Sequence, residues 1–206
     1  MIISLKHRFI FAAIPKTGTH AVRRALRQHM GEQDMEQVGL FVQRRLPIPE
    51  LARFQHGHLT LEQLRPYLPA GDFSGFLKFA FVRNPFDRFV SYCSFTTRES
   101  GHFDRDPHGV MRHFIDNPPW HHVLFQPQHS FVTGPDGGLL TDYLGRVETM
   151  QQSYDEVAAR IGIASQPLEK VNASRRGSYR DYYDPSLIEG VARLYARDLE
   201  LFGYAF

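Results

Sequence analysis

The chain has a single cysteine, Cys93, among its 206 residues. One cysteine excludes an internal disulfide framework and any zinc site built on several cysteine ligands. Long apolar runs are also missing, because no stretch approaches the roughly 20 consecutive apolar residues that a membrane-spanning helix needs. The chain also has little excess charge: it contains 24 Lys and Arg residues and 22 Asp and Glu residues, which gives a formal net charge of +2. Any strongly basic site must therefore be local.

The beginning of the chain, MIISLKHRFIFAAIPKTG, does not resemble a secretion signal. Lys6, His7 and Arg8 interrupt its apolar pattern, and no small-residue cleavage site follows a proper apolar region. We therefore predict a soluble, cytoplasmic protein without a membrane span. Nucleic-acid-binding motifs are also missing, so nucleic acid is not expected as a partner.

The composition is that of a globular protein, with 42% hydrophobic and 22% charged residues. A chain of this length buries roughly 70% of its surface on folding, enough for one sizeable core. The length favours a single domain over residues 1–206.

Short apolar runs alternate with segments of helical spacing. Phe9–Ile14, Phe76–Val82 and Tyr143–Val147 are predicted as strands, and the first two are typical of buried parallel strands. A helix is predicted from Thr19 after the first strand and over Phe86–Phe95 after the second. This order predicts the α/β class with a mainly parallel central sheet.

Capping patterns predict three further helices. Thr60 and Gln63 form a capping box that would open a short helix to about Tyr67. A second box is predicted at Ser153 and Glu156, for a helix that stops at Gly162. Asp184-Pro185 predicts the start of a final helix to about Leu201. The segment Gly31–Phe54 has no clear assignment.

The most informative segment runs from the first strand through a tight turn into the first helix. Its turn residues are Pro15, Lys16, Thr17, Gly18, Thr19 and His20. Free backbone N–H groups and the helix dipole at such a turn favour an anion, and Lys16 with the threonine hydroxyls adds charge and donors. Because Lys16 precedes the only glycine, the GxxxxGK[ST] pattern of nucleotide kinases is absent. The alternative is an ordinary strand–turn–helix connection with a surface lysine.

A second strand–turn–helix segment follows, Phe79–Tyr92. Arg83 stands at the carboxyl end of its strand, where open α/β sheets bind ligands, and Ser91 lies eight residues on within the helix. A guanidinium and a hydroxyl would hold a second phosphate there. The alternatives are a structural ion pair for Arg83 and a helix-surface hydroxyl for Ser91.

The sequences PKTGT and FVRNPFDRFVSYCSF, each after a strand, resemble the sulfotransferase superfamily, whose donor is 3′-phosphoadenosine 5′-phosphosulfate (PAPS). The resemblance implies a P-loop-like, three-layer α/β/α fold related to the P-loop kinases. It also implies that Pro15–Thr19 receives the 5′-phosphosulfate, and that Arg83 and Ser91 hold the 3′-phosphate. The order of later segments is similar to the Golgi carbohydrate sulfotransferases and their bacterial relatives. Residues 31–54 and 97–140 match least.

One position departs from the family pattern. His20 stands where the family usually has Thr or Ser, whose hydroxyl contacts the 5′-phosphate. A histidine ring nitrogen would donate in its place, more strongly when protonated, or the ring turns away and backbone amides suffice.

The tripeptide His56-Gly57-His58 is similar to the HGH element of the uronyl 2-O-sulfotransferases. The resemblance implies that His58 is the general base and that His56 assists it, with Lys16 stabilising charge on the leaving phosphate. The alternatives are a loop with exposed imidazoles, or a metal set completed by His121-His122. Without an HExxH or carboxylate pattern we expect no metal site.

The segment Asn172–Arg180 resembles a loop that folds over the nucleotide. The resemblance points to Ser174, Arg175, Arg176 and Gly177 as further donor-binding residues, and the alternative is a solvated basic loop. Arg23, Arg24 and Arg27 on the first helix are predicted to form a solvated face.

Together these patterns predict sulfuryl transfer from PAPS to an acceptor hydroxyl, on a glycan or glycolipid, without a metal or a covalent enzyme intermediate. Two alternatives stay open: a P-loop-like nucleotide phosphotransferase, and a non-catalytic nucleotide-binding relative.

Overall fold

A computed structural model describes residues 1–38, 44–45, 48–169 and 177–206. These residues group into two compact units. The first comprises Met1–Val82 and Ser130–Val171, and the second comprises Arg83–His129 and Asn172–Phe206. The expectation of a single domain over residues 1–206 stays a prediction.

The first unit contains a sheet of six strands among the described residues, in the order β4-β3-β1-β2-β5-β6. The strands are β1 Ile2–Ser4, β2 Phe9–Ala12, β3 Met35–Gln37, β4 Arg44–Arg45, β5 Leu77–Val82 and β6 Tyr143–Arg146. Strands β2, β5 and β6 are parallel to one another, with Ala12 opposite Ala80 and Val82 opposite Arg146. Their carboxyl ends therefore share one edge of the sheet.

Strands β1, β3 and β4 add an antiparallel half to this parallel part. The mixed α/β class and the three parallel strands agree with the sequence prediction, whereas the antiparallel half was not predicted. Lys6, His7 and Arg8, which interrupt the apolar pattern of the amino-terminal segment, lie between β1 and β2, and Arg8 has a positive φ of 52°.

The described helices of the first unit are α1 Thr19–Arg27, α2 Leu61–Leu64, α3 Ala70–Gly75 and α7 Met150–Ile161. Those of the second unit are α4 Pro85–Thr96, α5 His102–Arg105, α6 Pro107–Asp116, α8 Pro185–Leu194 and α9 Ala196–Phe202. The Thr60–Gln63 capping box opens α2 as predicted, and a 3-10 turn over Arg65–Tyr67 follows it.

Alternate residues of β2 and β5 face a buried cluster on one side of the sheet. Phe9, Phe11, Phe79 and Phe81 are each no more than 1% exposed, and the rings of Phe11 and Phe79 stack at 5.2 Å. Helix α1 adds Val22 and Leu26 to this cluster, and α7 adds Tyr154, Val157 and Ile161. The cluster fixes α1, and therefore the turn that precedes it, against the sheet.

The second unit is helical, and side-chain caps set where α4, α6 and α8 begin. Asn84 accepts a hydrogen bond from the Phe86 amide at the start of α4, and Asp184 accepts one from the Leu187 amide at the start of α8. Each cap precedes a proline at the first helical position, as predicted for Asp184-Pro185.

Two predicted helix boundaries were wrong. Helix α7 begins at Met150, so Ser153 lies inside it rather than capping it. The Ser153 hydroxyl instead accepts a hydrogen bond from the Arg146 amide, 3.0 Å away. The predicted final helix is divided at Tyr195, whose φ and ψ of −120° and 29° are not helical.

Candidate functional site

The turn between β2 and α1 has the predicted strand–turn–helix form. Lys16 and Gly18 both adopt left-handed backbone conformations, with φ of 65° and 70°. The buried Thr17 hydroxyl donates to the Ile14 carbonyl at 2.9 Å and closes the turn from inside. Pro15 is buried as well, whereas Lys16 is half-buried and His20 is exposed.

Glycine is favoured at position 18, the junction of this turn with α1. A Cβ built on Gly18 would lie 2.6 Å from the Met150 Cε atom, and the positive φ further disfavours any side chain. Among the described residues no side chain caps the amino terminus of α1, and no acidic residue stands in its first turn. The first-turn amides and the helix dipole therefore provide partial positive charge beside Lys16.

Cationic side chains surround the start of α1. The pKa of His20 is lowered from its ordinary value of 6.5, first by desolvation and then by positive charge on Arg23, Lys16, Arg27 and Arg24. A lowered pKa keeps the His20 ring largely neutral at pH 7. Carboxylates partly balance these charges, because Glu36 pairs with Arg23 and Arg27 and Glu169 pairs with Arg24.

His58 is hydrogen-bonded to the backbone at the beginning of the same turn. Its Nδ1 atom lies 2.6 Å from the carbonyl oxygen of Ala13, the residue directly after β2. A carbonyl only accepts hydrogen bonds, so Nδ1 carries the proton and Nε2 keeps its lone pair. Desolvation by burial lowers the pKa of His58 to about 3, and the Arg23 charge contributes to the lowering. The ring is therefore neutral, which a general base requires.

His56 is next to His58, with the ring centroids 6.4 Å apart. The His58 amide donates to His56 Nδ1 at 3.3 Å, and burial lowers the pKa of His56. The Gln37 side-chain amide donates to the His56 carbonyl at 2.5 Å and to the Leu51 carbonyl at 3.3 Å. The HGH element is thus a supported, half-buried segment rather than a loop with exposed imidazoles.

The prediction of a solvated arginine face on α1 was wrong for Arg23. Arg23 is only 4% exposed, it donates to the Gln37 carbonyl, and its guanidinium pairs with Glu36 at 3.5 Å. Burial lowers the pKa of Arg23 to about 10. Arg24 and Arg27 are 56% and 49% exposed, in agreement with the prediction. A Cβ on Gly57 would lie 2.6 Å from Arg23 Nη2, so this arginine packs directly beneath the HGH element.

In the second unit, Arg83 follows β5 directly and forms an ion pair. Its Nε and Nη2 atoms lie 2.8 and 2.6 Å from Asp87 Oδ2. Ser91 is half-buried on α4, four residues beyond Asp87, so Asp87 and Ser91 lie on one side of the helix, and Arg83 precedes its cap. The ion pair given as the alternative for Arg83 is therefore present, and its partner Asp87, four residues away, was not predicted.

The remaining residues singled out from the sequence are those from Ser174 to Gly177 and the pair His121-His122. Ser174, Arg175 and Arg176 lie outside the described residues, and Gly177 is exposed. His121 is exposed, and His122 Nδ1 lies 3.0 Å from the Tyr92 hydroxyl. In the part of the chain that the structure describes, no group of three or more His, Cys, Asp or Glu side chains is arranged to hold a metal ion.

Comparison with protein families gives a match over nearly the whole chain. A family model described as "Sulfotransferase family" matches residues 1–205. The chain belongs to the sulfotransferase family. The recognition made from PKTGT and the Arg83 segment is therefore confirmed, and sulfuryl transfer is the general chemistry of this sulfotransferase. Comparison with the curated proteins and with the solved structures gave no match.

The fold of this sulfotransferase is mixed α/β, as the sequence predicted. Among the described residues, no helix has both the length and the apolar character needed to cross a membrane.

Proposed function

We propose that this sulfotransferase transfers a sulfuryl group from PAPS to an acceptor hydroxyl of a carbohydrate or glycoconjugate, with His58 as the general base. The observation that carries the proposal is the 2.6 Å hydrogen bond between His58 Nδ1 and the Ala13 carbonyl. This bond ties the base to the same turn that bears Lys16, and it leaves the Nε2 lone pair available for a proton.

The turn fits the anionic end of such a donor. The turn has left-handed backbone at Lys16 and Gly18 and leads directly into α1, whose first amides no described side chain caps. The cations that lower the pKa of His20 supply further positive charge. We assign Pro15–His20 to the 5′-phosphosulfate. The finer fold, a three-layer arrangement related to the P-loop kinases, belongs to the same proposal and is supported by this strand–turn–helix anion site.

The 3′-phosphate is assigned to Arg83 and Ser91. Ser91 lies on the same side of α4 as Asp87, and the ion pair with Asp87 holds the Arg83 guanidinium in a defined orientation. Arginine binds phosphate through a planar fork of N–H donors, so orientation matters more for it than for lysine. Ser174, Arg175, Arg176 and Gly177 are assigned to the same nucleotide by the family resemblance alone.

The chemistry assigns one role to each residue. The acceptor oxygen forms a bond to sulfur while the sulfur–oxygen bond to the 5′-phosphate breaks, and the electron pair leaves with adenosine 3′,5′-bisphosphate. The acceptor proton passes to Nε2 of His58, and His56 orients this ring or the acceptor. Lys16 stabilises the negative charge that develops on the leaving phosphate. PAPS supplies the activated sulfuryl group, and no metal is assigned a role.

The proposal is tested by transfer of labelled sulfate from PAPS across a panel of glycans, glycolipids and small hydroxyl acceptors. Wild type should label at least one of them. His58→Asn keeps a side-chain N–H near the position of Nδ1, so it should fold and bind adenosine 3′,5′-bisphosphate normally. Its kcat should fall roughly 10²–10⁴-fold because the base is gone. Lys16→Ala should also lower kcat.

Two outcomes contradict the proposal. Full turnover by His58→Asn would remove this residue from the mechanism. Magnesium-dependent turnover of ATP, with no sulfate transfer to any acceptor, would instead favour the phosphotransferase alternative.

A further inference from the structure

Buried side chains of the second unit hold the backbone of Arg83 in place. Their contacts bear on how Arg83 would bind the 3′-phosphate in the proposed function. Arg83 lies one residue beyond the last paired residue of β5, so its backbone groups need partners outside the strand pairing. The side chain of Gln128 supplies both. Its Oε1 accepts from the Arg83 amide at 2.9 Å, and its Nε2 donates to the Arg83 carbonyl at 2.8 Å.

The two hydrogen bonds to the Arg83 backbone require a side-chain amide at the distance that glutamine provides. Gln128 is completely buried, so loss of either contact would leave a backbone group of Arg83 without that partner at a cost. A side-chain carboxamide presents a donor and an acceptor side by side, as a peptide group does, and asparagine, the other residue with this group, is one methylene shorter. Gln128 therefore acts on Arg83 as a neighbouring strand would.

The chain segment that carries Gln128, residues 124–129, is itself fixed by buried side chains. The carbonyls of Leu124 and Gln126 accept hydrogen bonds from Arg88 Nη2 at 3.1 and 2.7 Å. The Phe125 carbonyl accepts one from the Tyr195 hydroxyl at 3.0 Å. Arg88 is 2% exposed, so it serves this segment rather than the solvent.

A buried carboxylate holds the other end of segment 124–129. Asp198 on α9 is 0% exposed. Its Oδ2 accepts from the Gln128 amide at 2.7 Å, and its Oδ1 accepts from the His129 amide at 2.8 Å. The His129 ring contacts the same oxygen at 2.7 Å. Burial of a carboxylate is costly, and hydrogen bonds of this kind offset that cost. Segment 124–129 is thus held from α4 on one side and from α9 on the other.

We infer that Gln128, held by Asp198, is a positioning residue that fixes the Arg83 backbone and through it selects for the 3′-phosphate of the donor. The inference rests on the proposed function, because it requires Arg83 to bind that phosphate. Gln128 touches no donor atom in this assignment. Its effect reaches the ligand through the direction in which the Arg83 side chain leaves the strand end.

The test compares binding of adenosine 3′,5′-bisphosphate and adenosine 5′-monophosphate by isothermal titration calorimetry. The ratio of the two affinities measures recognition of the 3′-phosphate. Gln128→Met keeps the length of the side chain and removes both hydrogen bonds, and it should lower this ratio at least tenfold. Affinity for the monophosphate should stay within about twofold. Hydrogen exchange of the Arg83 amide should become faster in the same variant.

Gln126→Met is the matched control. Gln126 lies two residues away in the same segment, and its side chain donates to the Trp120 carbonyl rather than to Arg83. The control should keep the wild-type ratio. Arg83→Ala should remove the preference, and Gln128→Met should add little to Arg83→Ala in the double variant. Where Gln128→Met does not fold, Gln128→Asn retains an amide and should still lower the ratio.

Several outcomes overturn the inference. A folded Gln128 variant that keeps the wild-type ratio would do so, as would an equal loss of affinity for both nucleotides. An equal effect in Gln126→Met would point to general damage to segment 124–129. A wild-type chain without any preference for the 3′-phosphate would overturn the proposed function as well, so the two failures are distinguishable.

Discussion

At the scale of single residues, His58 is held by a backbone carbonyl. Ala13 cannot take up a proton or reverse the direction of its hydrogen bond, so it selects one tautomer of His58 at every pH where the ring is neutral. Burial and nearby positive charge disfavour the imidazolium and lower the pKa of His58 to about 3. Negative charge on a bound donor would favour the imidazolium again, which suits a base that gains its proton during the reaction.

The low pKa of His58 predicts how stability depends on pH. The pKa is about 3 in the folded chain against an ordinary value of 6.5. Between these two pH values the unfolded chain binds a proton that the folded chain does not, so the free energy of unfolding falls as the pH falls below 6.5. One such group contributes at most about 1.4 kcal/mol per pH unit. Urea denaturation of wild type and His58→Asn at pH 7, 6 and 5 measures the effect.

His58→Asn should lose less stability than wild type over this pH range, because its amide does not titrate. His108→Asn, at an exposed histidine of α6, serves as the control and should follow the wild-type slope. Parallel slopes for wild type and His58→Asn would contradict the low pKa.

At the scale of elements, the turn between β2 and α1 joins two requirements at one residue. Gly18 has a φ of 70° and also lies against Met150 of α7, where an added Cβ would be 2.6 Å from the methionine Cε atom. Gly162, at the end of α7, has a similar φ of 69° with nothing within 4 Å of an added Cβ. A substitution at Gly162 therefore adds backbone strain alone, whereas one at Gly18 adds the same strain and a contact with Met150.

Gly162→Ala should destabilise the fold by about 1–2 kcal/mol, the cost of a left-handed conformation with a side chain. Gly18→Ala should cost a similar amount for its backbone and only slightly more in total, because the flexible end of Met150 must also move. It should further weaken binding of adenosine 3′,5′-bisphosphate at least tenfold, whereas Gly162→Ala should leave that binding unchanged. Chemical denaturation and calorimetry measure the two effects. Equal effects of both substitutions on binding would show that the turn does not serve the ligand.

Elements with strong local patterns were predictable from the sequence. Phe76–Val82 was predicted as a strand and β5 occupies Leu77–Val82, since an apolar run with only Lys78 to interrupt it, next to Arg-Asn-Pro, has few alternatives. The strands β1 and β3 were missed because they are only three residues long and gain stability through pairing with each other rather than through local pattern. The Ser153 box failed because α7 starts one turn earlier at Met150, with the serine hydroxyl committed to Arg146.

The candidate site rests on residues whose type alone suggests their chemistry. Lys16, His58 and Arg83 were proposed from short motifs; the family match confirms the recognition of the family, and the roles of these residues stay predictions. Their supporting residues were not found. Gln128 reaches Arg83 across 45 residues of sequence, and Ala13 reaches His58 across the same separation through a backbone atom. Such contacts depend on tertiary structure and leave no local pattern.

At the scale of the whole molecule, the family match covers residues 1–205 and so includes residues of both compact units. The proposed 5′-phosphosulfate residues, Pro15–His20, belong to the first unit, and the proposed 3′-phosphate residues, Arg83 and Ser91, belong to the second. Under the proposed function, binding of a ligand with both phosphates should depend on Lys16 and on Arg83. Binding of a ligand without the 3′-phosphate should not depend on Arg83.

Thermal unfolding tests this dependence. Adenosine 3′,5′-bisphosphate at about 100 times its Kd should stabilise the fold by about 2.7 kcal/mol, because it binds the folded chain and not the unfolded one. For a chain of this size, that free energy raises Tm by roughly 5–10 °C.

Arg83→Ala should lose most of this rise at the same ligand concentration, while a smaller rise caused by adenosine 5′-monophosphate should be unaffected. An unchanged Tm at saturating bisphosphate would contradict the assignment of a doubly phosphorylated donor, and equal rises with both nucleotides would remove Arg83 from the 3′-phosphate.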